Sequence, residues 1–347
     1  MSTANLLRVA VIGAGAFGGN HLRVYRELEQ AGEAIELVAV VDQNADAAAK
    51  AGGKFGIPAF SSIEECLAKI EKIDAASVCV PTIHHSAAAE PLLTSKIDVL
   101  IEKPLAPTLE DADRIISLAR EHECIVQVGH LERFNPAVTA AKRFLNQPMF
   151  FESHRLSVFT PRSLDVDVVL DLMIHDLDIV LSLTGSPVRE VRAVGLPVLS
   201  PKVDIANVRV EFESGCVANF TASRVSTERV RKLRFFQPHQ YLSLDFARQD
   251  LLMIDVTAAA GMDLSKLAAM AEMLQRHGGH PSPGLSLNKV AVEPGEPLRL
   301  EIASFLHAVR NRTQPEVSGA DGRAALKLAL EISQAIAVHA KRAGLSI

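Results

Sequence analysis

A glycine-rich turn near the start of the chain constrains its fold more than any other feature. Val9–Ile12 is a short apolar run rich in β-branched residues, which is typical of a strand buried on both faces. Gly13, Gly15 and Gly18 follow in the spacing G-x-G-x-x-G, and Asn20–Leu28 has helical periodicity. Strand, glycine turn and helix in this order predict dinucleotide binding. The glycines allow a tight turn, close approach of a pyrophosphate, and close packing of helix on strand.

A carboxylate follows the second predicted strand, Ile35–Val41. Asp42 lies 24 residues after Gly18, where an acid accepts hydrogen bonds from the adenosine ribose hydroxyls and repels a 2′-phosphate. No Arg or Lys occurs between Asp42 and Lys50, so no nearby cation would favour that phosphate. We therefore expect NAD as the cofactor in preference to NADP. The alternative is a tight turn followed by an incidental Asp.

The bulk composition excludes several classes of protein. A chain of 347 residues, 48% hydrophobic and 22% charged, is long enough for two globular domains. The net charge of −5 argues against a nucleic-acid partner. The chain contains no apolar run long enough for a membrane span, and we expect no secretory signal. The four cysteines are scattered without a C-x-x-C pair. Cys79 and Cys124 lie in apolar runs, so we expect these two to be buried thiols and the protein to be cytoplasmic.

The pattern of elements changes along the chain. Strands and helices alternate at short spacing over residues 8–129, which predicts a doubly wound parallel sheet. From Met149 onward the apolar runs lengthen and alternate, which predicts a largely antiparallel sheet of about five or six strands. Residues 277–297, rich in Gly and Pro, predict an irregular loop. We predict an α/β protein with a doubly wound, NAD-binding domain over residues 1–129. A second domain with a largely antiparallel sheet is expected over residues 130–347, with C-terminal helices that can pack back on the first domain.

A long apolar helix is predicted over Asp167–Leu183. Such a helix should be buried, yet Asp171, His175 and Asp178 fall at i, i+4 and i+7 and form a polar stripe on it. Burying these groups without partners costs several kcal/mol, so the stripe should face a cleft or other polar groups. The structural alternative is a buried Asp–His pair satisfied within the core. A metal site is a weaker option, because no third Cys or His has convincing spacing, and we predict no metal.

The carboxyl ends of the strands in the first sheet are expected to hold the ligand. Lys103 lies there, and its position before Pro104 restricts it to an extended backbone at the place where nicotinamide should lie. A lysine in that place suits proton transfer, whereas the alternative is a solvated lysine at a strand end. The residues predicted to bind the cofactor are Gly13, Gly15, Ala16, Phe17, Gly18, Asp42, Pro81, Thr82, His85, Glu102, Lys103 and His130.

Together these motifs resemble the Gfo/Idh/MocA family of oxidoreductases (glucose–fructose oxidoreductase, inositol dehydrogenase, MocA) over nearly the whole chain. The resemblance rests on the glycine motif, Pro81-Thr82-x-x-His85, Glu102-Lys103-Pro104 and Asp171-x-x-x-His175. It implies an N-terminal Rossmann domain and a C-terminal α/β domain whose open sheet mediates oligomerisation, as a homodimer or homotetramer. It also implies that Lys103, Asp171 and His175 meet at the nicotinamide as catalytic residues. We expect His175 to act as the base, Lys103 to polarise the hydroxyl oxygen and Asp171 to orient the imidazole.

Two stretches further resemble members of that family that oxidise the 3-hydroxyl of UDP-N-acetylglucosamine, namely residues 128–137 and 171–178. In those systems a partner aminotransferase then installs an amine on the 3-keto sugar. The residues predicted to bind substrate are Lys103, Arg133, Asn135, Arg162, Asp171 and His175. Arg155 could also reach a diphosphate, since Arg pairs with phosphate in a bidentate manner. Two alternatives remain: a dehydrogenase of a free cyclitol or sugar such as inositol, and an NAD-binding regulator that performs no chemistry.

Overall fold

The computed structural model describes residues 6–159, 166–255, 269 and 286–345. It divides into two compact units. The first unit contains the chain as far as Phe134 together with Gly295–Lys327, and the second contains Asn135–Pro294 together with the chain from Leu328 onward. Each unit is built around its own β-sheet. No helix in the described ranges is both long enough and apolar enough to cross a membrane.

Among the described residues, the sheet of the first unit consists of β1 (Leu7–Ile12), β2 (Ile35–Val41), β3 (Ala59–Phe60), β4 (Ala75–Val78), β5 (Asp98–Glu102) and β6 (Val126–Gly129). These six strands lie in the order β3-β2-β1-β4-β5-β6. All of their pairs are parallel, which confirms the predicted doubly wound sheet. The α-helices whose bounds lie within the described ranges are α1 (Ala16–Gln30), α2 (Ala45–Phe55), α3 (Ile63–Lys69), α4 (His85–Thr94), α5 (Leu109–Glu121), α6 (Pro136–Lys142), α7 (Ile174–Thr184), α8 (Pro297–Asn311) and α9 (Gly319–Ala343).

Helix α8 completes the core of the first unit, although it lies far from that sheet in the sequence. Its residues Ile302 and Phe305 are fully buried in one cluster with Leu22 and Tyr25 of α1 and with Val9 of β1. The burial of large apolar side chains on both faces of the sheet is the main stabilising contribution in such folds. The sheet is therefore a rigid support for the loops that follow β1, β4 and β5.

In the part of the second unit that the structure describes, the sheet consists of β7 (Phe150–Leu156), β8 (Val188–Leu196), β9 (Ile205–Phe212), β10 (Val217–Ser223), β11 (Val230–Gln237), β12 (Gln240–Asp245), β13 (Asp250–Asp255) and β14 (Ser286–Val290). These eight strands lie in the order β14-β13-β12-β11-β7-β10-β9-β8. Their pairs are antiparallel except for β7 with β10, so the predicted largely antiparallel sheet is confirmed.

Two of our sequence predictions for this sheet were wrong. The expected five or six strands missed β13 and β14 at one edge of the sheet. Strand β14 lies within the segment expected to be an irregular loop, where it pairs antiparallel with β13, whereas residues 291–296 of that segment are irregular as predicted. Strand β14 forms because its backbone hydrogen-bonds to β13. This cause lies outside the short segment itself, so the sequence of the segment shows no clear strand periodicity. Residues 277–285 of that segment lie outside the described residues.

The long apolar helix is present with one irregularity at its start. Residues Val169–Met173 form a π-helical turn, and α7 continues from it and ends at Gly185, whose φ of 56° is left-handed as expected of a glycine C-cap. Asp171 and His175 are half-buried, whereas Asp178 is only 1% exposed, so the three residues of the predicted stripe differ in exposure. That the stripe faces a cleft stays a prediction.

Candidate active site

The glycine turn after β1 has the geometry that a bound pyrophosphate requires. Gly13 has a φ of +101°, and a Cβ placed there would lie 2.7 Å from the carbonyl oxygen of Cys79. A Cβ on Gly18 would lie 1.8 Å from the carbonyl oxygen of Gly13, so only glycine allows α1 to pack so closely. No atom lies within 4 Å of the Cβ position of Gly15. The three glycines therefore meet the separate needs of turn, packing and ligand approach.

A cleft of about 650 Å³ opens over this turn at the carboxyl ends of the parallel strands. Its volume is in the range of small-molecule binding sites. Six of the predicted cofactor-binding residues line it, namely Gly13, Gly15, Ala16, Phe17, Asp42 and Pro81. The residues of the first unit therefore fit a dinucleotide, whose phosphates would meet the N–H groups at the start of α1.

Asp42 holds the glycine turn as well as facing the cleft. Its Oδ2 accepts a hydrogen bond from the backbone N–H of Ala14 at 2.7 Å, and its Oδ1 accepts one from the N–H of Asn44 at 2.9 Å. A carboxylate keeps further lone pairs for ribose hydroxyls. The residues lining the cleft include Glu64 and no Lys or Arg, so a 2′-phosphate would meet negative charge there.

Sequence reasoning missed several residues that line the cleft. These include Gln43, Ser61, Ser62, Ile63, Glu64 and His84. Most of them follow β2 and β3, and the rule that ligands lie beyond strand ends applies to these strands too. Strand β3 is only two residues long, so its sequence carried little signal.

His85 does not line the cleft. It is 1% exposed, with Nδ1 3.0 Å from the carbonyl oxygen of Pro104 and Nε2 3.0 Å from that of Val80. Burial lowers the pKa of His85, and a neutral ring donates to one of these carbonyls at a time. The ring thus links the loop after β4 to the loop after β5. The predicted role of His85 in binding the cofactor stays a prediction.

The remaining predicted residues of the first unit lie after β4, β5 and β6. Thr82 begins a short 3₁₀ turn, Glu102 ends β5, and Lys103 follows it half-buried. His130 follows β6 directly and is 1% exposed. Because all three strands are parallel neighbours, these residues share the edge of the sheet at which the cleft opens.

The predicted substrate residues differ in what surrounds them. Asp171 lies in the π-helical turn, and His175 lies in the first turn of α7. The side chain of Arg133 is 6% exposed, and one of its terminal nitrogens lies 3.9 Å from Oδ1 of Asp321. Arg162 lies outside the described residues.

Two polar residues considered for substrate binding have internal roles. Asn135 caps α6 by accepting the Ala137 N–H at 3.1 Å, and it donates to the carbonyl oxygen of Phe246 at 3.0 Å. Arg155 is buried, and its Nε and one terminal nitrogen each donate to the Asp176 carboxylate at 2.8 Å. This bidentate pair holds β7 to α7 and argues against a role for Arg155 at a diphosphate.

Comparison with known protein families gives matches in both units. Residues 7–130 match the NAD-binding Rossmann fold of the GFO_IDH_MocA oxidoreductase family, and residues 140–237 match the C-terminal domain of the same family. Together the two matches cover more than half of the chain. This chain belongs to the Gfo/Idh/MocA family.

Members of the family with assigned activities are similar to this chain over different lengths. The UDP-N-acetylglucosamine 3-dehydrogenase of Acidithiobacillus ferrooxidans is 34% identical over 97% of this chain and 99% of its own length. A solved structure of that enzyme superposes with a TM-score of 0.83 over 95% of this chain and 97% of that chain. An inositol 2-dehydrogenase of Corynebacterium glutamicum is 29% identical over 56% of this chain and 58% of its own length.

These similarities confirm the predicted family, the fold class, NAD as cofactor and an NAD-dependent dehydrogenase as the class of enzyme. A solved levoglucosan dehydrogenase, 18% identical with a TM-score of 0.80, shares the fold. Cys79 and Cys124 are free thiols as predicted, but they are half-buried and not fully buried. The predicted oligomer and the cytoplasmic location stay predictions.

Proposed function

We propose that this protein is a sugar dehydrogenase that oxidises the 3-hydroxyl of UDP-N-acetylglucosamine to a ketone with NAD⁺. The supporting observation is the 34% identity to the Acidithiobacillus enzyme, which extends over 97% of this chain and 99% of that one. The similarity to inositol 2-dehydrogenase covers only 56% of this chain, so it supports a cyclitol substrate less well.

The chemistry divides between the cofactor and three side chains. NAD⁺ supplies the nicotinamide ring that accepts the hydride from C3 of the sugar. His175 takes the proton of the 3-hydroxyl, so the C–H electron pair leaves as hydride while the C=O bond forms. Lys103 donates a hydrogen bond to the same oxygen and stabilises the negative charge that develops on it. Asp171 orients the imidazole for this transfer.

Recognition of the nucleotide part needs cations for the diphosphate. Arg133 and Arg162 are our proposed partners, because a guanidinium can pair with phosphate oxygens in a bidentate manner. Asn135 would contribute by fixing the start of α6, given its two hydrogen bonds there. Lys103 belongs to both the cofactor set and the substrate set.

The product has a reactive ketone, and an aminotransferase is the class of partner that would consume it. The decisive experiment therefore incubates the protein with NAD⁺, UDP-N-acetylglucosamine, glutamate and a trapping aminotransferase. Mass spectrometry then detects the amino-sugar nucleotide, which a simple absorbance assay could miss if the oxidation is uphill. Parallel reactions contain myo-inositol, scyllo-inositol or free N-acetylglucosamine with NAD⁺. Oxidation of an inositol without any reaction of the nucleotide sugar would contradict the proposal.

A further inference from the structure

A buried chain of polar side chains lies behind the proposed site in the first unit. The ring of His21 in α1 is fully buried, with Nε2 2.9 Å from Oε1 of Glu102 and Nδ1 3.0 Å from the hydroxyl oxygen of Ser77. The Ser77 hydroxyl oxygen lies 2.8 Å from the hydroxyl oxygen of Tyr25, which is also fully buried. Four side chains from α1, β4 and β5 thus form one continuous series.

The donors and acceptors of this series are consistent with one direction. Within the described part of the chain, the Tyr25 hydroxyl has Ser77 as its hydrogen-bonding partner. If Tyr25 donates to Ser77, Ser77 can donate to Nδ1 of His21, and Nε2–H can donate to Glu102. Every proton then has an acceptor, and the series ends on a carboxylate, which accepts only. The reverse direction would leave the buried Tyr25 proton without an acceptor, which is costly.

Burial favours the same direction. It raises the pKa of Tyr25 far above its ordinary value, so the hydroxyl remains a proton donor at the start of the series. Hydrogen bonds aligned in one direction polarise one another in an interior of low dielectric constant. The Nε2–H of His21 is therefore a strengthened donor to Glu102.

Glu102 is confined from a second side as well. A Cβ placed on Gly129 of β6 would lie 3.2 Å from both Cδ and Oε2 of Glu102, so this carboxylate packs directly against the Gly129 backbone. Glu102 is the last residue of β5, and Lys103 follows it. Fixing the side chain of Glu102 fixes the end of the strand from which Lys103 extends.

We propose that His21 is a positioning residue for the reaction: it holds the Glu102 carboxylate through the series Tyr25–Ser77–His21, and thereby sets the place of Lys103. His21 does not line the cleft, so it acts without touching cofactor or substrate. The catalytic role of Lys103 rests on the proposed function, whereas the direction of the hydrogen bonds from Tyr25 to Glu102 does not depend on it.

Glu301 of α8 provides the competing explanation for this cluster. It is fully buried, and ligand atoms of His21, Glu102 and Glu301 lie within 4.8 Å of one another, as a divalent cation would require. A cation there would take the Nε2 lone pair and require a proton on Nδ1. The two explanations therefore demand opposite tautomers of His21.

The tautomer is measured first, on the intact protein without any sugar. Long-range ¹H–¹⁵N spectra of ¹⁵N-histidine-labelled protein are recorded for the wild type and for His21→Gln, whose missing signal assigns the ring. We expect a neutral ring protonated on Nε2. A ring protonated on Nδ1, or one equivalent of a divalent metal that is lost in His21→Gln, would overturn the proposal. Because this measurement contains no substrate, failure of the proposed function does not affect it.

The second measurement uses steady-state kinetics with the substrate that the wild type oxidises. We expect His21→Leu to lower kcat at least 10-fold while the KM for NAD⁺ changes less than about threefold. His21→Gln should recover kcat to within about threefold of the wild type, because its amide can place an N–H donor near the position of Nε2. The exposed His307→Gln serves as the control for this type of substitution.

Two further variants test the series if His21→Leu does not fold, as judged by its melting curve. Ser77→Ala breaks the middle of the series and should lower kcat several-fold, whereas Tyr25→Phe removes only the first donor and should have a smaller effect. An unchanged kcat in His21→Leu or Ser77→Ala would contradict the proposal. Equal loss in His21→Gln and His21→Leu, with both folded, would also contradict it.

Discussion

The two units differ in how directly their sequences specify them. In the first unit the motif glycines Gly13 and Gly18 each have a steric reason, and β2 begins and ends at the residues predicted for it, Ile35 and Val41. In the second unit the sheet has two strands more than its periodicity indicated, and a parallel pair of strands lies inside an otherwise antiparallel sheet. A local backbone requirement can be predicted from the sequence. The pairing of strands that are distant in the sequence is much harder to predict.

Buried charge distinguishes the units in a similar way. In the first unit, buried polar groups gather behind the predicted cofactor site, where they form the series ending at Glu102. In the second unit the pair Arg155–Asp176 joins a strand to a helix. The first arrangement bears on chemistry and the second on stability, so substitutions in the two units should be separable by measuring both turnover and unfolding.

The largest expected effect is a loss of turnover, and it tests whether residues of both units contribute to one chemical step. Lys103→Ala in the first unit and His175→Ala in the second should each lower kcat about 10²–10⁴-fold, the usual contribution of a positioned acid or base. Affinity for NAD⁺, followed by the fluorescence of bound NADH in competition, should change little. The exposed Lys50→Ala and His307→Ala are matched controls. Near-normal turnover in either active-site variant would remove that residue from the mechanism.

A second prediction concerns only the first unit. Gly15→Val would place a branched side chain where no atom now lies within 4 Å, in the space expected for the pyrophosphate. We expect affinity for NAD⁺ to fall about 100-fold with the melting temperature preserved. Gly19→Ala is the control, since its Cβ also meets nothing within 4 Å but Gly19 does not line the cleft. Equal affinity of the Gly15→Val variant and the wild type would place the dinucleotide elsewhere.

A third prediction concerns only the second unit and its dependence on pH. Burial alone would raise the pKa of Asp204, but hydrogen bonds from the Ser200 hydroxyl and from the backbone N–H groups of Ser200, Leu199 and Val198 outweigh it and lower the pKa to about 2. The folded-state pKa is below the unfolded value. Asp204 therefore stabilises the fold by roughly 2 kcal/mol above about pH 5, and this contribution disappears as the pH falls towards 2.

Urea unfolding of the wild type and of Asp204→Asn at several pH values measures this contribution. The difference in unfolding free energy should be greatest near pH 6 and should shrink below pH 4. The exposed Glu228→Gln should show no such trend. A difference independent of pH would mean that the carboxylate charge of Asp204 contributes nothing.

The smallest expected effect concerns the choice between the two dinucleotides. Asp42→Ala removes the carboxylate that we expect to face the ribose and also the acceptor for the Ala14 N–H. We expect affinity for NAD⁺ to fall a few-fold and the preference for NAD⁺ over NADP⁺ to fall about 10-fold. Asp46→Ala, on the exposed start of α2, is the control. If the cofactor preference were unchanged, the discrimination between NAD⁺ and NADP⁺ would have to come from Glu64 or from the shape of the backbone.

The candidate site shows the limits of the sequence in detail. The positions of Gly13, Gly15, Asp42 and Lys103 follow from motif and strand order, because each depends on neighbours within a few residues. The link between His21 and Glu102 was not foreseen, since 81 residues separate them and only the fold brings them together. His85 was predicted to bind the cofactor, but the sequence did not indicate that its buried ring would lie 3.0 Å from the carbonyl oxygens of Pro104 and Val80. Long-range polar contacts of this kind have no periodic signature.

The central claim is that one lysine and one histidine act on a single sugar hydroxyl. A crystal structure of the protein with NADH and UDP-N-acetylglucosamine tests it most directly. We expect the 3-hydroxyl oxygen to lie within about 3 Å of both Nζ of Lys103 and a ring nitrogen of His175, the distance that proton transfer requires. A complex in which the sugar binds beside the dinucleotide with either side chain out of reach would contradict the account.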